Sequence, residues 1–339
     1  MNFTLLLNRI IAGQNLTEDQ AADMITDIFS GTITPAQVGA FMAALATKKE
    51  TFEELAGAAR AMRTRARRIQ AVSGKVIDTC GTGGDVSGSF NISTAAAFVV
   101  AGAGITVAKH GNRSVSSKCG SADVLEALGV NLDLEPEIVE EAVNGIGIGF
   151  MFAPVFHGAM KYAARARQEC GIRSIFNMLG PLTNPAAATC QILGVYAPHL
   201  TQMFAKALKL LGVEKAFVVH GHDGMDEITT TDLTRVSELS DGRIKSYDLD
   251  PLQFFDDYAD PEDLKGGDVH TNAAIIRSVL AGEKGPKRDI VLINAGAGLV
   301  AAGAAPAIQQ GIQLAADAID TGRAERKLND LVQFTRENA

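Results

Sequence analysis

Three short stretches of this chain group residue types able to hold and activate a charged small molecule. In the first, Asp78-Thr79-Cys80 runs into Gly81-Thr82-Gly83-Gly84-Asp85 and then, past Ser89, into Asn91-Ile92-Ser93-Thr94 at the head of an alanine-rich segment. Glycines let a backbone approach an anion closely, and the free N–H groups and dipole of a helix start attract phosphate. A glycine-rich turn is a weak signal by itself, since many such turns only solve a tight bend. No Gly-Lys-Ser/Thr follows, so it is not a Walker A loop, and no G-x-G-x-x-G stands in register for a dinucleotide.

The second stretch, Lys109-His110-Gly111-Asn112-Arg113-Ser114-Val115-Ser116-Ser117, puts a cation, an imidazole, an amide and hydroxyls into one glycine-containing loop. The third, His220-Gly221-His222-Asp223-Gly224-Met225-Asp226-Glu227, sets adjacent carboxylates at the end of an apolar run. Like charges repel, and a divalent cation resolves that repulsion; a solvated acidic turn fits the pair equally well. The nearby histidines would suit zinc, but hard oxygen donors beside a phosphate-binding loop favour Mg²⁺. The residues therefore describe a site for a metal-bound polyphosphate and leave its acceptor open.

These stretches need elements to carry them. Residues 1–72 read as helices: Thr17/Gln20, Thr34/Gln37 and Thr51/Glu54 have capping-box spacing, Pro35 suits a first helical position, and Ala21, Met24, Ile25 and Ile28 recur at helical steps. From residue 73 onward KVIDTC, ITVAK, KAFVVH and DIVLIN read as strands alternating with helices, with Ser121 capping ADVLEAL, Gly129 ending it and another long helix from about Leu299. Strands apolar on both faces indicate a mostly parallel sheet covered by helices on both sides. The expected fold is thus α/β, a small all-helical domain (1–72, completed by about 165–190) plus a large α/β domain (73–339). Residues 240–270 read as a short hairpin and loops. Loops after successive parallel strands emerge at one carboxyl edge, where such sheets bind ligands.

Bulk properties bound the function. A net charge of −8 from 31 basic and 39 acidic residues opposes nucleic-acid binding. The basic run Arg60–Arg68 reads as a solvated helix face, with a local anion-facing patch as the weaker alternative. Cys80, Cys119, Cys170 and Cys190 lack CxxC pairing, which argues against zinc and a disulfide framework. With no long apolar run and no signal-peptide pattern at the start, a cytoplasmic, membrane-free protein is expected.

GTGGD, NIST, KHGNRSVSS, GSADVLEALG, FAPVFH, GIRSIFNMLGPLTNP and HGHDGMDE, in this order over nearly the whole chain, resemble anthranilate phosphoribosyltransferase. That resemblance implies transfer of phosphoribose from 5-phosphoribosyl 1-pyrophosphate (PRPP) to anthranilate in tryptophan biosynthesis. It also implies two Mg²⁺ ions per subunit and a homodimer joined through the helical domains. Position by position, Gly81, Gly84, Asp85, Ser89, Asn91, Ile92, Ser93 and Thr94, with the loop Lys109 to Ser117 and Ser121, match the PRPP contacts. Ser93, Asp226 and Glu227 match the metal ligands. Gly81, His110, Asn112, Arg167 and Pro181 match the anthranilate channel, and Lys109, His110 and Arg167 are the catalytic candidates. His110 could serve as a base or as a neutral orienting group. Ser89, Cys119 and Ser174 depart from the commonest residues by small, near-isosteric changes. A pyrimidine nucleoside phosphorylase and a non-catalytic nucleic-acid-binding paralogue are the competing readings. No glutamine amidotransferase segment is fused, and association with anthranilate synthase stays open.

Overall fold

The computed structural model describes residues 2–72, 74–85, 87–114 and 118–338. Four helices lead: α1 (Phe3–Ile11), α2 (Glu18–Ser30), α3 (Pro35–Lys48) and α4 (Phe52–Arg65). All three capping boxes form: each threonine hydroxyl accepts an N–H three residues on, and that residue's side chain returns to the cap. The third does more than cap. Glu54 is fully buried and also accepts from Leu16 N at 2.8 Å and Lys48 Nζ at 3.0 Å. It therefore joins the α1–α2 connection to α4 with one charge.

The remainder alternates. β1 (Val76–Gly81), α5 (Ile92–Gly102), β2 (Thr106–Gly111), α6 (Ser121–Leu128), α7 (Pro136–Gly145) and β3 (Ile148–Phe152) come first. The chain then makes α8 (Ala153–Phe156), α9 (Lys161–Cys170) and α10 (Ile175–Met178) before re-entering the sheet as β4 (Cys190–Gly194). After α11 (Leu200–Leu210), β5 (Lys215–Gly221), β6 (Thr234–Ser240) and β7 (Arg243–Leu249) complete a seven-stranded sheet of order β3-β2-β1-β4-β5-β6-β7. The first five strands are parallel; β6 and β7 are antiparallel, turning through Asp241 and Gly242 at positive φ. Helices α12 (Val269–Leu280), α13 (Pro286–Ala301), α14 (Ile308–Asp320) and α15 (Arg323–Glu337) close the chain.

Side chains alternate across the strands and so feed two cores. Ile77, Ile192, Phe217 and Val219 pack with α5 and α12–α15, while Leu193, Ala216 and Val218 pack with α11 and the leading helices. Helix α9 returns to this second core, burying Ala163 and Ala166 with Met24, Ile28 and Phe41.

Several expectations are corrected. DIVLIN is not a strand: it lies inside α13, opened by Pro286 and buried almost continuously to Ala301. A short apolar run cannot distinguish a buried strand from a buried helix, and here the helix is 16 residues long. Ser121 does not cap α6; Gly120 does, with the Asp123 carboxylate accepting Gly120 N at 2.8 Å, while Gly129 ends the helix in the left-handed region as expected. Arg63 is not on a solvated face, because its guanidinium turns inward onto the carbonyls of Leu182 and Leu211.

Glu54→Ala should lower the unfolding free energy by about 3 kcal/mol in urea denaturation, because the buried Lys48 ammonium loses the carboxylate it contacts. A loss under about 1 kcal/mol would contradict the role given to this carboxylate.

Candidate active site

The direction of winding reverses between β1 and β4, the place where open α/β sheets leave a crevice beyond their carboxyl ends. Gly81 and Gly194 are register partners at that edge. A Cβ on Gly194 would lie 1.5 Å from the Asp226 carbonyl oxygen, and one on Gly81 would lie 2.6 Å from Asp226 Oδ2. Paired glycines are thus what allow the loop after β5 to lay Asp226 across the strand ends.

Lys109 leaves β2 beneath this point, only 4% exposed. Its ammonium donates to the carbonyl of Thr79 and, at 3.4 Å, to Ser93 Oγ. Burial pulls its pKa down, and the charge of Asp78, followed by Cys80, Glu227 and Asp226, pulls it back up. The carboxylates are each held by a backbone donor: Gly83 N to Asp226 Oδ2 at 3.0 Å, and Ser93 N to Glu227 Oε1 at 3.1 Å. Burial, with the charge of Asp85 next, pushes Asp226 up to about 7. Glu227 is driven well above the carboxylate range by burial and then by Asp226. A hard divalent cation would relieve this repulsion, and the donors (Asp226, Glu227, Asp85 and the Ser93 hydroxyl) are the oxygen set it takes. Among the described residues no three His, Cys, Asp or Glu side chains enclose an ion alone. Water and ligand oxygens would complete its shell, as is usual for Mg²⁺ beside phosphates.

Next to Lys109, His110 is held rigidly. Its backbone N–H donates to Asp78 Oδ1 at 3.1 Å, and Nδ1 lies 3.0 Å from Gly180 O. A carbonyl can only accept, so Nδ1 carries the proton and Nε2 presents its lone pair. Burial, and the neighbouring His157 ring 5.0 Å away, push the His110 pKa down to about 3. Pro181 is buried in the turn that accepts this bond.

The other sequence candidates distribute unevenly. Gly84 is at positive φ with the Arg173 guanidinium against it, and Arg173 stacks 4.0 Å from the Tyr196 ring centroid. Asp85 and Ser89 share the Ser87 hydroxyl. Asn91 donates to Cys119 O at 3.1 Å, Ile92 opens α5 and is buried, and Thr94 Oγ1 is buried without a partner among the described residues. Gly111 packs closely on Ser121, which donates to Asn112 O at 3.4 Å. Asn112 is exposed, and Ser114 N donates to Asp123. Arg113 pairs with Asp123 and Glu126 and is not turned toward Lys109. Arg167 lies on α9 with its guanidinium 5.9 Å from the Phe176 centroid. Val115, Ser116 and Ser117 lie outside the described residues.

A ring of buried supports has no counterpart among the sequence candidates. Asn184 donates to Asp78 Oδ2 and to Ala108 O, each at 2.8 Å. Asn272 donates to Asn91 at 3.0 Å. His157 sits edge-on to His110. Asn184 and His157 stand in the motifs GPLTNP and FAPVFH, where polar residues flanked by apolar ones are the available signal; Asn272, in an ordinary amphipathic helix, has none.

The description "Glycosyl transferase family, a/b domain" matches residues 73–325, and "Glycosyl transferase family, helical bundle domain" matches residues 4–66. Anthranilate phosphoribosyltransferase of Desulfosudis oleivorans is 64% identical over 337 residues, 99% of either chain. The chain belongs to the anthranilate phosphoribosyltransferase family. A crystal structure of the Thermus thermophilus family member superposes with a TM-score of 0.92 at 43% identity, covering 97% of this chain and 99% of that one. The Saccharomyces cerevisiae enzyme in complex with PRPP and Mg gives a TM-score of 0.90 at 26% identity, covering 99% and 98%.

The depressed histidines make a pH prediction. His110 and His157, the latter pushed by burial down to about 4, are neutral when folded and take protons more readily when unfolded. Their contribution is therefore complete above the unfolded pKa of about 6.5 and is lost as pH falls toward 4, at up to about 1.4 kcal/mol per pH unit for each. Replacing both by Asn should flatten the acid limb of stability measured by denaturation between about pH 6.5 and 4.5. An unchanged slope would refute their neutrality.

Proposed function

We propose that this chain transfers the phosphoribosyl group of PRPP to the amine of anthranilate, releasing pyrophosphate, as a step of tryptophan biosynthesis. The observation that carries the reading is the convergence of Lys109, the glycine loop and the Asp226–Glu227 pair at one sheet edge.

In this reading Gly81 to Asp85, Ser89 and Asn91 to Thr94 line the phosphates with backbone N–H groups and hydroxyls, and Lys109 to Ser114 with Ser121 meet them from the neighbouring strand end. Asp226, Glu227 and Ser93 would hold Mg²⁺, with Asp85 close enough to share a second ion, and the metal supplies charge neutralisation for the leaving pyrophosphate. The anthranilate nitrogen forms a bond to the anomeric carbon as the carbon–oxygen bond to pyrophosphate breaks; the electron pair leaves with pyrophosphate, and the proton the amine sheds passes to pyrophosphate or to solvent. Lys109 steadies that leaving charge in a dry setting where an ammonium is strongest. His110, with Nδ1–H committed to Gly180, offers Nε2 to the amine; its low basicity makes it an orienting acceptor and a poor general base. Asn112 and Arg167, with Gly81 and Pro181, would line the acceptor channel, Arg167 pairing with the anthranilate carboxylate.

The helical unit, residues 1–72 completed by 165–190, would carry a homodimer contact, for which exposed Leu5 and Ile11 on α1 supply apolar surface. No helix among the described residues is long and apolar enough to cross a membrane; the cytoplasm is the setting proposed. The net charge of −8 disfavours nucleic acid as a partner.

Anthranilate fluorescence should disappear only with PRPP and Mg²⁺ both present; thymidine phosphorolysis in its place would establish the nucleoside phosphorylase reading. The double substitution Asp226→Asn and Glu227→Gln should abolish Mg²⁺-dependent turnover, and retention of about a tenth or more of it would refute the metal assignment. Arg167→Ala should raise the anthranilate KM about tenfold or more with the PRPP KM within about twofold, whereas equal rises would remove Arg167 from the acceptor channel.

A further inference from the structure

The turn Gly180-Pro181-Leu182 has an unusual set of partners. It joins α10 to the segment before β4, and Pro181 and Leu182 are buried, so its carbonyls have little access to water. Each of the three is met by a side chain from a different element. His110 Nδ1 on β2 donates to Gly180 O at 3.0 Å, Gln191 Nε2 on β4 to Pro181 O at 2.5 Å, and Arg63 Nε on α4 to Leu182 O at 2.6 Å. Gln191 is 3% exposed and also lies 3.1 Å from Cys80 Sγ; Arg63 reaches Leu211 O at 3.2 Å through Nη1. Partly burying an arginine against carbonyls is costly, since among the described residues no carboxylate pairs with it to offset its desolvation. A turn that only needed to connect two segments would leave its carbonyls to solvent.

We propose that Gln191 and Arg63 are positioning residues for the acceptor, fixing the Gly180–Leu182 turn as the wall against which the anthranilate ring lies beside His110. The inference rests on the proposed placement of the acceptor at His110 and Pro181. Three donors from three elements fix the turn against β2, β4 and α4, in addition to its own backbone bonds from Leu182 N to Leu179 O at 2.9 Å and from Thr183 N to Gly180 O at 3.2 Å. Arg63 makes the helical unit part of that wall, so the acceptor pocket is completed across the two cores of the molecule. The phosphate side, built from the glycine loop and Lys109, shares none of these three bonds apart from the backbone continuity of Lys109 with His110.

The test is steady-state kinetics on the full-length protein with Gln191→Leu, Arg63→Met, Arg63→Lys and, as an exposed control, Arg60→Met. Each variant is assayed below its own melting transition. Gln191→Leu and Arg63→Met should each raise the anthranilate KM about tenfold while the PRPP KM stays within about twofold, the loss expected from one buried hydrogen bond and its displaced wall. Arg63→Lys, which keeps a donor for one carbonyl, should recover most of the lost affinity, and Arg60→Met should match the wild type. Parallel rises in both KM values, or a lowered melting point with both KM values unchanged, would overturn the positioning role. The two sites lie in different elements, so either decides the matter if the other variant does not fold. A wild-type chain without anthranilate- and PRPP-dependent turnover would defeat the functional reading itself, which is a separate result.

Discussion

A buried ammonium with carboxylates in its neighbourhood organises this molecule. Lys109 sits under the ends of β1 and β2 with Asp78, Asp226 and Glu227 as its opposing charges, and none of these groups could be buried alone without large cost. The cluster explains why two register-paired glycines stand at the edge of the sheet. Gly81 and Gly194 admit Asp226 to the place where its charge is needed, and any side chain at Gly194 would collide with the backbone of Asp226. It also explains why α5 begins where it does: Ser93 faces both the ammonium and Glu227, tying a helix start to the charged centre.

From that centre the support spreads through neutral hydrogen bonds. Asp78 receives the backbone of His110 and the amide of Asn184, and Asn184 in turn holds Ala108. The segment preceding β4 is therefore fastened to both β1 and β2. His110 carries the connection onward to Gly180, and Arg63 and Gln191 anchor the following two carbonyls. The charged cluster on one side and the buried Gly180–Leu182 turn on the other are thus parts of one continuous network. The network also accounts for the depressed pKa of His110, whose ring is closed in by burial and by His157.

Much of this is readable from the residues. The capping boxes at Thr17, Thr34 and Thr51 depend on local spacing and form as expected, because a cap needs only its own neighbours. The strands carrying Gly81, Lys109 and His220 stand out as apolar runs ending in chemistry-bearing loops, and the sheet brings those loops together. What escapes a reading of the residues depends on distant partners. Strands β3 and β4 are short and glycine-flanked, and only pairing with β2 and β1 defines them. DIVLIN has a strand's composition but is a helix because α13 is enclosed on all sides. Arg63 looks solvated within a basic run, since nothing local reveals that Leu182 and Leu211 come to meet it. Arg113 pairs with Glu126, 13 positions away, a contact that nothing local to its loop reveals.

If the Lys109 cluster binds a metal-complexed polyphosphate, calorimetric titration of PRPP with Mg²⁺ into wild-type and Lys109→Met protein shows it most directly. Binding to the wild type should depend on Mg²⁺, and the variant should lose about a hundredfold in affinity with its circular dichroism preserved. Equal affinity in the two proteins, or wild-type binding indifferent to Mg²⁺, would contradict the role given to this buried charge.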